Sequence, residues 1–244
     1  MIYLIIILFA LILLWCFNKK NNSFNLFLSK NEINKFINDD NDMYLYNLSS
    51  ADLFARNVEN ISDYKKNIIN NIYTLSNEEK ERMIKLYNNA NNILTKNYPE
   101  IADTKGHIVF IKNNICENGL PHTRSNIIFL STNLLNDTDL QIIKILIHEK
   151  IHIFQRFNPF HKLIIDFLHN NNITQFMTKK DYINTHPLTR ANPDLDNWIY
   201  INKNNILTCS YNSKKPNSIN DIDNDPLYEH PYEMMAYNIT QSIN

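Results

Sequence analysis

Glycine is almost missing from this chain: Gly106 and Gly119 are the only two in 244 residues, so the turns glycine usually makes must be made by something else. Asparagine is the obvious substitute, at roughly one residue in six, because it tolerates the left-handed backbone region. Cysteine is scarce as well. Cys16, Cys116 and Cys209 permit at most one bridge and form no C-x-x-C pair, which excludes a disulfide scaffold and a redox or zinc-ribbon motif. Cys116 and Cys209 are expected as free thiols in a reducing compartment. Long runs of positive charge are absent too: 24 Lys and Arg stand against 25 Asp and Glu, for a net charge of −1. The electrostatic footprint that phosphate binding requires is missing, so nucleic acid is not an expected partner. What is present is apolar and aromatic matter, 44% hydrophobic residues with 13 Tyr and 13 Phe, enough for a sizeable core. The length fits one ordinary domain with an appendage, or two small ones.

The appendage is expected at the start. Met1–Phe17 (MIYLIIILFALILLWCF) has no charged side chain and is just long enough as a helix to cross the hydrocarbon core. No basic stretch precedes it and no small-residue cleavage site follows it, which favours an uncleaved single anchor over a signal peptide. Lys19, Lys20, Lys30 and Lys35 follow the span, so the positive-inside rule points the main domain toward the cytoplasm. Residues 18–47 read as a polar tether with a short helix in it, and 48–244 as the folded domain, opening with a helical part at 48–75.

Within that domain Phe54, Val58, Ile61, Ile68 and Ile72 recur at helical spacing. A second helix should open at Ser76 with Glu79 as its capping box and carry Met83, Tyr87, Ala90 and Leu94 on one face. His107–Lys112 and Asn126–Ser131 read as paired or neighbouring strands, with Asn118-Gly119 and Pro121 as turn signals between them. Thr138 and Gln141 form another capping box, opening a helix with Leu140, Ile143, Ile147, Ile151 and Phe154 as apolar positions. Beyond it lie a helical stretch at 160–169, a turn-rich segment, a hairpin of 198–201 with 206–211, and a last helix from Pro231. The fold class expected is α+β.

The Thr138 helix carries the chemistry. In His148-Glu149-Lys150-Ile151-His152 two imidazoles four residues apart share a helical face and can reach one metal ion, with Glu149 able to reach a water bound there. Two histidines rarely complete a catalytic zinc site. A third histidine six residues on is ruled out by Asn158, and a glycine-rich, cysteine-ligated arrangement by the shortage of glycine. A carboxylate on a later helix remains, and Glu233, in the first turn after Pro231 with small Ala236 on the same side, is the candidate; Glu229, His230 and Asp194 are rivals. The polar segment Arg190–Trp198 reads as a turn, or as a wall of the cleft.

In these residues the chain resembles zinc metallopeptidases of the zincin group, in their glutamate-ligand (gluzincin) branch: His148, Glu149 and His152 match the first motif, and Glu233 with Ala236 an E-x-x-A pattern. The resemblance covers roughly residues 76–244 and implies a zincin-like domain of backing helix, small sheet, motif helix and later ligand helix. It implies Zn²⁺ held by His148, His152 and Glu233, Glu149 as general base, and a peptide or protein substrate laid against the edge of strand 126–131. His230, Tyr237, Tyr232 and Tyr200 are the candidate oxyanion donors. Two other readings stay open: an inactive membrane-anchored structural or interaction protein with a structural zinc, and a zinc hydrolase of non-peptide amides.

Overall fold

The computed structural model describes residues 24–243. The fold is α+β, built on a four-stranded mixed sheet in the order β1-β2-β4-β3: β1 (Ile72–Tyr73), β2 (His107–Ile111), β4 (Ile127–Ser131) and β3 (His122–Arg124). β2 and β4 are parallel, His107 opposite Ile127 and Ile111 opposite Ser131, while β1 and β3 flank them antiparallel. Both central strands are continuous apolar runs because both sheet faces are covered. Ile108, Phe110, Ile128 and Leu130 enter one core; Val109, Ile111, Ile127 and Phe129, alternating with them, enter another.

The first core is closed by three helices. α4 (Asn77–Asn97) starts at the Ser76–Glu79 capping box and buries Met83, Leu86, Tyr87, Ala90 and Leu94. α6 (Asp139–Phe157) starts at the Thr138–Gln141 capping box and packs between α4 and α9 (Pro231–Gln241). Its expected apolar stripe is buried apart from Leu140, which is exposed. Gly106 is needed where α6 meets the sheet, since a Cβ there would stand 2.7 Å from Ile153 Cδ1.

The other face departs from expectation. The part of the 18–47 tether that is described is not a tether: α1 (Lys30–Asp39) and the turn after it bury Ile33, Ile37, Tyr44 and Leu45 in the second core, and Leu26 O accepts from Ile108 N at 2.7 Å. Four well-spaced apolar side chains outweigh the polar average of the segment. The single helix expected over 54–72 is two, α2 (Ser50–Ala55) and α3 (Ile61–Asn70), broken at Asn57 with φ 56°, and Ile72 belongs to β1. Half of the ten non-glycine residues with positive φ among those described are asparagines, the substitution for glycine that the composition implied. β4, expected to offer a free edge, has both edges paired; the edge strand is β3.

α5 (Pro99–Ala102), α7 (Lys162–Asn170) and α8 (Lys179–Thr185) complete the helices. A second sheet, β5-β6-β7, is antiparallel: β5 (Ile173–Thr178) arises from the segment read as turn-rich, and β6 (Trp198–Asn202) with β7 (Asn205–Leu207) is the expected hairpin. No helix among the described residues is long and apolar enough to cross a membrane, and the anchor expected at Met1–Phe17 lies outside them. Cys116 and Cys209 are buried and unbridged; Cys16 lies outside the described residues.

Candidate metal centre

His148 and His152 project from one face of α6, their ring planes at 79° and their Nε2 atoms 2.9 Å apart. Glu233 comes from the first turn of α9, where Pro231 fixes the start and His230 caps it, Nδ1 accepting from Tyr232 N at 3.1 Å. Its Oε2 lies 3.3 Å from His148 Nε2 and 3.4 Å from His152 Nε2. Donors held tetrahedrally about 2.0–2.1 Å from zinc stand roughly 3.3 Å from one another, so this triangle has the edge lengths of a zinc site. Among the described residues no other His, Cys, Asp or Glu joins the group, and the three residues fit the ion with a side left open.

Charge reinforces the geometry. The histidines hold the Glu233 carboxyl well below its ordinary range, overcoming burial. Burial tends to lower His152, but the Glu233 carboxylate beside it raises it instead. Burial pushes Glu149 up to about 8; His148 works against that rise, and Asp194 and Glu233 add to it. Glu149 Oε2 is buried without any hydrogen-bond partner, an orphan that a water in the cleft would satisfy.

The residues behind the triangle were less legible. His152 Nδ1 stands 2.9 Å from Gln155 Oε1, and Gln155 Nε2 donates to Tyr232 O at 3.1 Å, tying the motif helix to the ligand helix through one fully buried side chain. Gln155 lies three positions after His152 on the same face; that spacing was the available signal.

A cavity of about 410 Å³ opens over the triangle, bordered by Leu120, Pro121 and His122 of the β3 edge, by Asn192, Pro193 and Asp194, and by Tyr237. Part of the Arg190–Trp198 segment is therefore cleft wall. The rival ligands lie apart from the triangle's cluster: Glu229 is paired with Arg190, and His230 Nε2 with Asp196 Oδ1 at 3.0 Å. His230 also caps α9, so both its ring nitrogens are committed, and it does not border the cavity. Tyr200 donates to Asp196 Oδ2 at 2.6 Å, and Tyr232 faces a different cavity. Tyr237 alone of the expected oxyanion donors borders the triangle's cavity.

A second group, Cys116, Glu117 and His122, has donor atoms close enough for an ion. Arg56 occupies its carboxylate, Nη2 at 2.6 Å and Nε at 2.8 Å, and Tyr64 donates to Oε1 at 2.6 Å, so a cation is already in place. Comparison with protein-family models, curated proteins and solved structures gives no match for this chain.

Proposed function

We propose that the chain is a zinc-dependent metallopeptidase of the zincin type, in its glutamate-ligand branch, with Met1–Phe17 as a single membrane anchor and the catalytic domain on the cytoplasmic side. One observation carries the enzymatic reading: three donors in a zinc-sized triangle beside a buried carboxylate whose second oxygen has no partner. His148, His152 and Glu233 would hold the metal. Bound there, zinc would supply Lewis acidity, polarising a scissile carbonyl and acidifying a water.

Glu149 takes the proton of the attacking water and delivers it to the departing amine. Burial raises its proton affinity, which suits the delivery half of that transfer, and a dication held by the triangle would favour the carboxylate form that takes the proton. Tyr237, half exposed at the cavity, is the donor to the developing oxyanion. An extended peptide lies in the cavity over the triangle, between Leu120–Pro121 and Asn192–Asp194, since both edges of β4 are paired and β3 is buried. Among the described residues the group holds three protein donors and no fourth, which favours this reading over a structural zinc, whose shell is closed by protein ligands.

The test is metal analysis combined with peptide hydrolysis on the full-length chain. The parent should carry about one zinc, and Glu149→Gln should keep it while kcat drops by about 10²–10⁴. A chain that holds no zinc, or a variant that cleaves as fast as the parent, overturns the proposal.

A further inference from the structure

A second cavity lies beside the one over the triangle, on the other side of Asp194. Its volume is about 490 Å³, and it shares Tyr44, Pro193 and Asp194 with the first as common walls. The segment leading into β3 and the strand itself touch both: Leu120, Pro121 and His122 on the first, Thr123 on the second.

Apart from the Asp194 carboxylate on the wall shared with the first cavity, the polar lining of the second cavity is largely engaged. Arg156 donates to Ser125 O at 2.7 Å and to Thr123 O at 3.3 Å; Asp42 is paired with Arg124 at 2.8 Å; Asp196 holds His230 and Tyr200. Away from Asp194 the uncommitted surface is apolar, and three separate segments bring it together. Phe160, after α6, is 87% exposed; Ile165 of α7 is 49% exposed and Trp198 of β6 38%. Such side chains scattered singly mean little, but lining one concavity that opens into a cleft they form a surface for an apolar ligand.

We propose that the second cavity receives a large apolar side chain of a polypeptide that lies across the metal triangle and past Pro193 and Asp194, so that substrates are selected by an aromatic or long aliphatic residue placed away from the cleaved bond. The inference rests on the peptidase reading for its occupant and on the shared walls for its location. It makes Phe160 and Ile165 specificity-determining residues.

Binding and cleavage are measured separately. Fluorescent Ala/Ser peptides carrying one Phe, moved through every position, are titrated into full-length Glu149→Gln protein in detergent with zinc and followed by anisotropy; the Glu149 parent is then offered the same set. One Phe register should bind about tenfold or more tighter than the all-Ala peptide, since a filled apolar pocket discriminates on that scale. Phe160→Ser and Ile165→Ser, each at an exposed position, should erase that difference, Phe160→Leu should restore most of it, and cleavage by the parent should favour the same register. Binding indifferent to the position of Phe, or a preference that survives both serine variants, overturns the second-cavity proposal even if the parent cleaves. Register-dependent binding that the serine variants abolish, with no peptide cut by the parent, upholds the cavity and overturns the peptidase reading.

Discussion

Gln155 holds the geometry of the site from behind. Its carbonyl oxygen fixes the proton of His152 on Nδ1, which turns the Nε2 lone pair toward Glu233 and His148, and its amide grips the backbone of the neighbouring helix. Gln155→Leu should therefore weaken zinc binding by about 10–100-fold in a chelator competition, with Gln155→Glu retaining part of the loss because it can still accept from His152. Equal affinity in parent and Gln155→Leu would remove Gln155 from the site. His148, Glu149 and His152 were legible in the sequence because the α-turn brings i and i+4 together without help from the rest of the fold. Glu233 was only a candidate, since the choice among it, Glu229, His230 and Asp194 depends on which of them has another partner. Arg190 takes up Glu229 and Asp196 takes up His230, while Asp194 stands on the cavity wall outside the donor cluster, and none of this has a sequence signature.

At the scale of elements, α4 and α6 were readable from their capping boxes and stripes, and both start where the sequence predicts. β3 was not. His122-Thr123-Arg124 is a polar triplet whose burial comes from partners far along the chain: Arg124 is enclosed by Asp40 and Asp42 and lies over the ring of Tyr44. α1 was mistaken for part of a tether for the same reason, since its apolar face makes sense only against the sheet. The packing of α9 on α6 sets the third corner of the triangle, and Ala236 of α9 is fully buried in the core the two helices share. Ala236→Leu should cost about 1–3 kcal/mol by overpacking and, by lifting α9, lower zinc affinity more than Ala236→Gly does. Denaturant unfolding and zinc competition on the two variants would check this; a leucine variant with parental zinc affinity would show that α9 is not fixed by that contact.

Across the whole molecule, buried ion pairs join segments remote in sequence: Arg56 with Glu117, Arg124 with Asp40 and Asp42, Arg190 with Glu229. Burial alone would raise Glu117, but the Arg56 guanidinium, with His122 and Tyr64, brings it down to about 2 from an ordinary 4.5. Between those values the unfolded chain binds the proton and the folded one does not, so stability rises with pH through this window. The contribution of Glu117 is complete above pH 4.5 and is lost as pH falls toward 2. Urea unfolding of the zinc-free protein between pH 5 and 2.5 should show this slope. Glu117→Gln should be less stable at neutral pH by about 3 kcal/mol, because it leaves a buried guanidinium uncompensated, and should lose roughly one proton of the slope. An unchanged slope would show that other carboxyls govern the acid transition.

The bond from Gln155 to Tyr232 bridges 77 positions. The intervening excursion carries Phe160, Ile165 and Asp194, while both of its ends are clamped on α6 and α9. Loop closure grows only logarithmically with length, about 0.6 kcal/mol per doubling. Extra length at the exposed turns of the excursion therefore comes at small thermodynamic expense, and a new recognition wall can be grown there, while Ile164 and Leu195, buried in the first core, stay with the frame that grips the cation.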